Sequence, residues 1–377
     1  MRDELFIWFD CPPKVSRGAF NYVSQQWGNS VYYIIKSNFR TERKLASWDS
    51  GGFGKASVNY LFQMDNPDYF VEQLFIKHPS AIHIINGLDS QIERLIRPHI
   101  HKPGLKVVFS SERPVSLGGF FESLIRKVYI TLKYNFKRAY YSKYVSALLP
   151  LGEKGRNVFL SFGWNPDVVF PFMYNPELPE IERFASNEKV PGECVHFLYV
   201  GRFSYRTKGV DMLMNATELL KGNWHLDIVG GYGDKKNEII DWANGNSNVS
   251  FLGTWDSSSV SEHLLQYDVV IVPTRFDGWN LLINEAINSG VGVITTNEAV
   301  SDEVITNSGA GIVVDCSASM IAETMQSVID DVSLVKKWHE LAIAYKSKIS
   351  SKTVGNYLID ILDYVFYDNP VKPEKPW

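Results

Sequence analysis

Between residues 196 and 315, short β-rich runs alternate strictly with helical stretches, and this alternation limits the possible folds more than any other feature. HFLYVGR (196–202), WHLDIVGG (224–231), NVSFLG (248–253), DVVIVPT (268–274), VGVITT (291–296) and AGIVVD (310–315) read as strands. Between them, GVDMLMNATELLKG (209–222) carries Val210, Leu213, Met214, Leu219 and Leu220 at helical spacing and stops at Gly222. A polar helix runs through Ile239, Ile240 and Trp242, SSSVSEHLLQY (257–267) is a helix with serine caps, and LLINEAINSG (281–290) is a helix closed by Gly290. DVVIVPT is almost continuously apolar, as a strand covered on both faces of a parallel sheet must be. Such alternation implies right-handed βαβ crossovers and a doubly wound parallel sheet.

The first half repeats this α/β layout less regularly. ELFIWFD (4–10), SVYYIIK (30–36), SAIHIIN (80–86) and LKVVFS (105–110) read as parallel strands. Residues 165–195 are rich in Pro, Asn and Glu without a period, which is a linker signature. The expected organisation is an N-terminal domain over 1–175, a second domain over 176–345, and a final helix and Pro-rich tail over 346–377 that cross back to the first domain. At 377 residues the chain is long enough for two hydrophobic cores. Its apolar content of 45% excludes wholesale disorder. No apolar run reaches the ~20 residues of a membrane span, and the N-terminus lacks a secretory pattern. Cys11, Cys194 and Cys316 have neither zinc nor CxxC spacing and read as reduced thiols. We expect a cytoplasmic protein.

The net charge of −4 conceals an asymmetry. Residues 1–175 hold 22 Lys+Arg against 14 Asp+Glu, a balance of +8, whereas residues 176–377 stand at −12. One expectation is an anionic partner for the first half; the other is two unrelated surfaces.

Ligands of open parallel sheets sit at the carboxyl ends of strands. After 196–200 come Gly201 and Arg202, then Lys208 six residues on at a helix start. A forked guanidinium, an ammonium and free helix N–H groups suit a diphosphate, although the same residues also read as surface cations. After 268–274 come Asp277, Gly278, Trp279 and Asn280, then a helix carrying Glu285. Asp277 and Glu285 can face one cleft and accept bonds from sugar hydroxyls, with backbone amides between them for phosphate; an acidic cap and a solvated glutamate are the plain alternative.

Taken together, GRF…KGVDML, IVGGYG, VSFLG and VVIVPTRFDGWNLLINEAINSGVGVITTN resemble the donor domain of GT-B glycosyltransferases, in particular retaining family 4, over roughly 195–330. The family's E-x7-E motif stands here as Asp277-GWNLLIN-Glu285, with the first acid shortened by a methylene. The resemblance implies two Rossmann-like domains facing across a cleft. It implies diphosphate stabilisation by Arg202 and Lys208, sugar hydroxyls on Asp277 and ribose hydroxyls on Glu285. Trp279, Asn280, Leu281 and Leu282 would offer backbone amides. Gly201, Gly230, Gly231 and Gly278 would let the backbone approach the nucleotide, with Phe251 and Leu252 near the base. In the first domain, CPPKVSRGAFNYV is only a weak match to the family's Gly-rich loop, through Gly18 with Lys14 and Arg17. Glu112 stands in the loop where many members place a histidine. The donor is expected to be UDP- or GDP-linked, with retention, no metal and no other cofactor.

Three other segments invite a reading. Trp48–Ala56 resembles a phosphate loop but lacks its first Gly and the Ser/Thr after Lys55, so it reads as a flexible loop. Arg97-Pro-His99-Ile-His101 has no third ligand nearby for a metal. Residues 119–147 carry six cations (Arg126, Lys127, Lys133, Lys137, Arg138, Lys143) and one acid, Glu122, among eight aromatic residues. Helical spacing places Leu124, Val128 and Leu132 on one face, so this stretch is expected to meet an anionic membrane surface; a core helix with a basic face or a nucleic-acid patch are the alternatives. The expected function is sugar transfer from a nucleotide-sugar to a glycan or lipid-linked acceptor in bacterial surface-polysaccharide synthesis, with no nucleic acid involved. The alternatives are a nucleotide-sugar epimerase of the same fold or a non-catalytic sugar-binding subunit. A nicotinamide dehydrogenase is disfavoured because GGYG is not a G-x-G-x-x-G fingerprint.

Overall fold

The computed structural model describes residues 2–39, 52–114, 120–181, 190 and 192–377, with backbone alone at 120–123. The chain divides into two compact units. One takes residues 2–39, 52–177 and 351–376; the other takes 178–350 and Trp377.

The first unit is built on six parallel strands, β1 (Leu5–Phe9), β2 (Val31–Ile35), β3 (Ser57–Tyr60), β4 (Ile82–Asn86), β5 (Lys106–Ser111) and β6 (Val145–Pro150), in the order β3-β2-β1-β4-β5-β6. LFIWF of β1 is buried throughout because β1 lies in the middle of the sheet, paired with β2 and β4. Its helices are α1 (Arg17–Gln26), α2 (Pro67–Lys77), α3 (Gln91–Ile96), α4 (Phe120–Tyr141) and α5 (Gly152–Ser161). Local chemistry sets their starts: Asn66 accepts from the Tyr69 amide with Pro67 at the first position of α2, and Ser90 accepts from the Glu93 amide at α3.

The helical spacing read at Leu124, Val128 and Leu132 falls within α4, which ends at Tyr141; Val145 begins β6, whose Ala147, Leu148 and Leu149 are fully buried. The first part of the expected linker is packed on the first unit. Val169 and Phe172 bridge Leu148 and Leu151 in parallel, so the chain extends along the β6 edge and buries Val169, Phe170, Phe172 and Met173. The apolar gain at these four positions explains why so Pro-rich a segment is ordered.

The second unit repeats the plan with β7 (Val195–Val200), β8 (Trp224–Val229), β9 (Val249–Phe251), β10 (Val269–Val272), β11 (Gly292–Thr296) and β12 (Gly311–Val314), ordered β12-β11-β10-β7-β8-β9 and all parallel. The helices are α6 (Tyr205–Lys208), α7 (Val210–Thr217), α8 (Lys236–Asn244), α9 (Val260–Leu264), α10 (Leu281–Asn288), α11 (Asp302–Ser308), α12 (Ala318–Asp330) and α13 (Ser333–Tyr345). α7 and α9 are shorter than their apolar spacing predicts. Phe197, Leu213, Leu226, Ile271, Met325 and Trp338 belong to one buried cluster.

After α13 the chain returns to the first unit as α14 (Ser351–Phe366), burying Val354, Leu358, Ile361 and Leu362. A Cβ at Gly355 would meet Tyr22 Cδ1 at 2.5 Å, so α14 lies against α1 at a distance only glycine permits. Arg2 is anchored to Asp363 at 2.6 Å, and the Tyr367 hydroxyl accepts from the Asp3 amide at 2.6 Å.

In both sheets the chain starts centrally, moves to one edge, then returns to build the other. This reversal opens a crevice at the carboxyl ends of β1 and β4 in one unit, and of β7 and β10 in the other.

Candidate functional site

In the second unit, the loops leaving β7 and β10 are those that carry the candidate residues, so the topology brings the two motifs to one crevice. Arg202 and Lys208 come from the first loop, and Asp277, Asn280 and Glu285 from the second and from α10. Lys208 Nζ is bonded to Asp277 Oδ2, and Asn280 Nδ2 donates to the same oxygen at 3.0 Å. Arg202 Nη2 donates to Thr207 Oγ1 at 3.0 Å. The expected cation of the first loop is therefore paired with the expected carboxylate of the second.

The residue that joins the loops is Thr207. Its carbonyl accepts from the amides of Arg275 (2.9 Å) and Phe276 (3.1 Å) and from Thr274 Oγ1 (2.7 Å), while its hydroxyl holds Arg202. Arg275 locks the same junction: it donates to the Tyr205 carbonyl at 2.6 Å and forms a fork on Asp211. Tyr199, wholly buried on β7, donates to the Arg202 carbonyl at 2.8 Å. Burial first, then the nearby Asp277 charge, pushes its hydroxyl far above the ordinary tyrosine range, so it remains a donor. Gly209 has φ +63°, and a Cβ there would lie 1.9 Å from the Pro273 carbonyl oxygen. Only glycine lets α7 start against the end of β10.

The remaining expected residues are distributed as follows. A Cβ at Gly230 would lie 2.3 Å from the Gly201 carbonyl oxygen, and one at Gly231 would lie 2.1 Å from Thr254 Cγ2, so these glycines let three loops close up. Phe251 packs against Phe203 at 6.0 Å, while Leu252 is exposed. Trp279 is buried, with Nε1 donating to Asn284 Oδ1 at 2.9 Å. The Asn280 amide donates to Ser301 Oγ at 3.1 Å and the Leu282 amide to Asn280 Oδ1 at 3.1 Å; both are satisfied within the unit. Leu281 opens α10 beside Gly278, and Glu285 is half-buried one turn on.

Gly18 and Glu112 lie in the first unit. The Gly18 amide donates to the Asn175 carbonyl, and a Cβ there would strike Ser351 Oγ at 2.3 Å and the Pro176 carbonyl oxygen at 2.6 Å. Its bareness lets α1 pack closely against Ser351 and Pro176. Arg17 pairs with Glu177 at 3.1 Å. Glu112 is exposed just beyond β5 and accepts from the Tyr174 hydroxyl at 2.7 Å. His99 is stacked on Phe75 at 4.9 Å. Residues 48–51 of the glycine-rich loop lie outside the described residues, as do 182–189 and 191 of the expected linker, 119 of the basic stretch and the side chains of 120–123.

Thr207, Tyr199, Arg275 and Ser301 were not legible as site residues. Thr207 lies between the two cations and Arg275 directly follows β10, but their roles depend on carbonyls and partners up to 70 residues away.

Two Rossmann-like sheets of this order define the GT-B architecture. Residues 194–331 match the family model described as Glycosyl transferases group 1. WaaG, a glycosyltransferase involved in lipopolysaccharide biosynthesis, superposes with a TM-score of 0.64 at 17% identity, over 96% of this chain and 100% of its own. HepE of Anabaena, solved in complex with UDP and glucose, gives a TM-score of 0.69 at 11% identity with the same coverage. An uncharacterised 41.2 kDa protein in the cps region of Klebsiella pneumoniae is 28% identical over 178 residues. That match spans about half the length of the relative, 47% of each chain.

Proposed function

We propose that the protein is a glycosyltransferase that moves a sugar from a UDP- or GDP-linked donor, with retention and without a metal, to a glycan or lipid-linked acceptor. The setting is synthesis of a bacterial surface polysaccharide at the inner face of the cell membrane. The observation that carries this reading is the bond between Lys208, which follows β7 together with Arg202, and Asp277, which follows β10, with Glu285 one turn into the helix that the second loop opens. The match of residues 194–331 supports the activity class, and the cps-region relative supports the setting.

The chemistry follows from the geometry. An incoming diphosphate competes with Asp277 for Lys208, and Arg202 supplies a second fixed cation. Charge building on the leaving phosphate is met by groups held before it arrives. Asp277, released from Lys208 but still held by Asn280, turns an acceptor oxygen to the sugar hydroxyls. Glu285 takes the ribose hydroxyls. Tyr199 and Thr207 act on these groups as positioning residues.

The test is a thermal-shift screen of the full chain with UDP, GDP, ADP and their sugars, followed by a transfer assay with the stabilising donor. One nucleotide should raise the midpoint, and Arg202→Ala should remove that rise and lower turnover by about 10²- to 10³-fold. Absence of a shift with every nucleotide would reject the reading. A donor-only reaction yielding an isomer would make the protein an epimerase instead.

A further inference from the structure

α4 stands out among the described helices for the apolar surface it leaves bare. Leu124 (55% exposed), Ile125 (71%), Val128 (54%), Leu132 (66%) and Phe136 (73%) form one stripe along it. A soluble surface rarely leaves so contiguous a patch uncovered without a partner. Beside the stripe lies a cavity of about 640 Å³ between α3 and α4. Arg94, Arg97, Lys133 and Lys137 line it with Asp89 and the aromatic rings of Tyr129 and Phe136. A smaller one of about 450 Å³, shared at Asp89, Tyr129 and Lys133, continues to Arg126 and Pro114.

The charges at the large cavity do not cancel. Glu93, fully buried behind it, is paired with Arg97 at 2.8 Å and with Lys137 at 3.2 Å. Asp89 is paired with Lys133 and, at 3.4 Å, with Lys137. Burial raises the Asp89 carboxyl, but the bond from Lys133 and the two lysine charges outweigh this and hold it below the usual carboxylate range. Two carboxylates thus face four cations. Arg94 is exposed at the rim and has no ion pair among the described residues. Lys137, expected as a surface cation, is instead buried in this network and donates to the Leu88 carbonyl at 2.6 Å. The network fixes Lys133 and Lys137 at the cavity floor rather than leaving them on solvated tethers.

We infer that this cavity takes the phosphate head of an anionic phospholipid while the α4 stripe lies against its acyl chains. The inference rests on the membrane setting proposed above and adds a discrete head-group site to it. The pairing of an excess of positive charge with an adjoining aliphatic face matches a head and tail on one molecule. A soluble phosphate would leave the stripe uncovered, and a neutral bilayer would leave the cations unmet.

Vesicle flotation tests it, using the full chain with phosphatidylcholine vesicles and with phosphatidylcholine containing a one-third share of phosphatidylglycerol. Arg94→Glu reverses a charge at the cavity, and Lys127→Glu reverses an exposed charge on α4 that lines neither cavity. Both positions are exposed, and circular dichroism confirms folding of each variant. The expected result is binding to the anionic vesicles that Arg94→Glu weakens by about tenfold or more and Lys127→Glu by threefold or less. Leu132→Glu should weaken it as strongly as Arg94→Glu. Equal losses from the two charge reversals would overturn the head-group site while leaving general membrane attraction intact. Displacement by millimolar inorganic phosphate would show a free-anion site and overturn the lipid. Failure of the unaltered chain to bind anionic vesicles would reject the membrane setting itself.

Discussion

His83 is the residue whose chemistry is most constrained by its surroundings. It is fully buried on β4, accepts at Nδ1 from Trp8 Nε1 at 3.1 Å, and lies between the rings of Phe6 and Phe75. Its Nε2 has no hydrogen-bond partner among the described residues. Burial, with a smaller push from His78, lowers its pKa to about 3. The unfolded chain protonates this histidine below about pH 6.5 while the native state does not. Folding stability must therefore fall as pH drops from about 6.5 towards 3, by about 1 kcal/mol per pH unit from this group. His83→Phe keeps the ring stack and should flatten that slope. Denaturant unfolding between pH 7 and pH 4.5 would check it; an unchanged slope in the variant would assign acid sensitivity to other groups.

At the level of elements, the two loops at the β7 and β10 ends behave as one piece because Thr207 serves both. Thr207→Val preserves shape and the carbonyl bonds but removes the acceptor for Arg202. Transfer activity should fall about tenfold with stability changed by under ~1 kcal/mol, since a bond to a charged group is lost near the surface. A KM rise for the donor with an unaltered melting curve would mark positioning; a matching loss of stability would mark a purely structural role. These loops were readable in the sequence because cations, acids and glycines at fixed spacing follow continuous apolar strands. Thr207 was not, because its main contribution is a carbonyl oxygen that every residue possesses. The same contrast holds for strands. β1 and β10 declare themselves by apolar runs, whereas β3 (SVNY) is a polar edge and VSALLP of β6 merges with the aromatic stretch before it. Gly18 shows a related limit: glycine marks close approach, and sequence does not say that the neighbours include Ser351 and Pro176.

At the scale of the whole molecule, the first unit is discontinuous. Its last helix, α14, is separated from the rest by the entire second unit, and it brings five buried aliphatic side chains and the Asp363 anchor for Arg2. Replacing Leu358 and Leu362 by Ala should destabilise the first unit by several kcal/mol while leaving the second unit, Trp377 and its bond to Glu303 included, intact. Calorimetry of the variant should then show one transition displaced or lost. Equal displacement of every transition would mean that α14 supports both units.

The return of α14 also has a temporal side. When residue 177 has been synthesised, the first sheet is complete but the face of α1 around Tyr22 is bare. At 5–20 residues per second, the remaining stretch of about 200 residues takes roughly 10–40 s to make. For that interval the nascent first unit carries an open apolar seam while the second unit, contiguous in sequence, is free to fold ahead of it. The first unit is thus begun first and completed last, closed only when α14 reaches Tyr22.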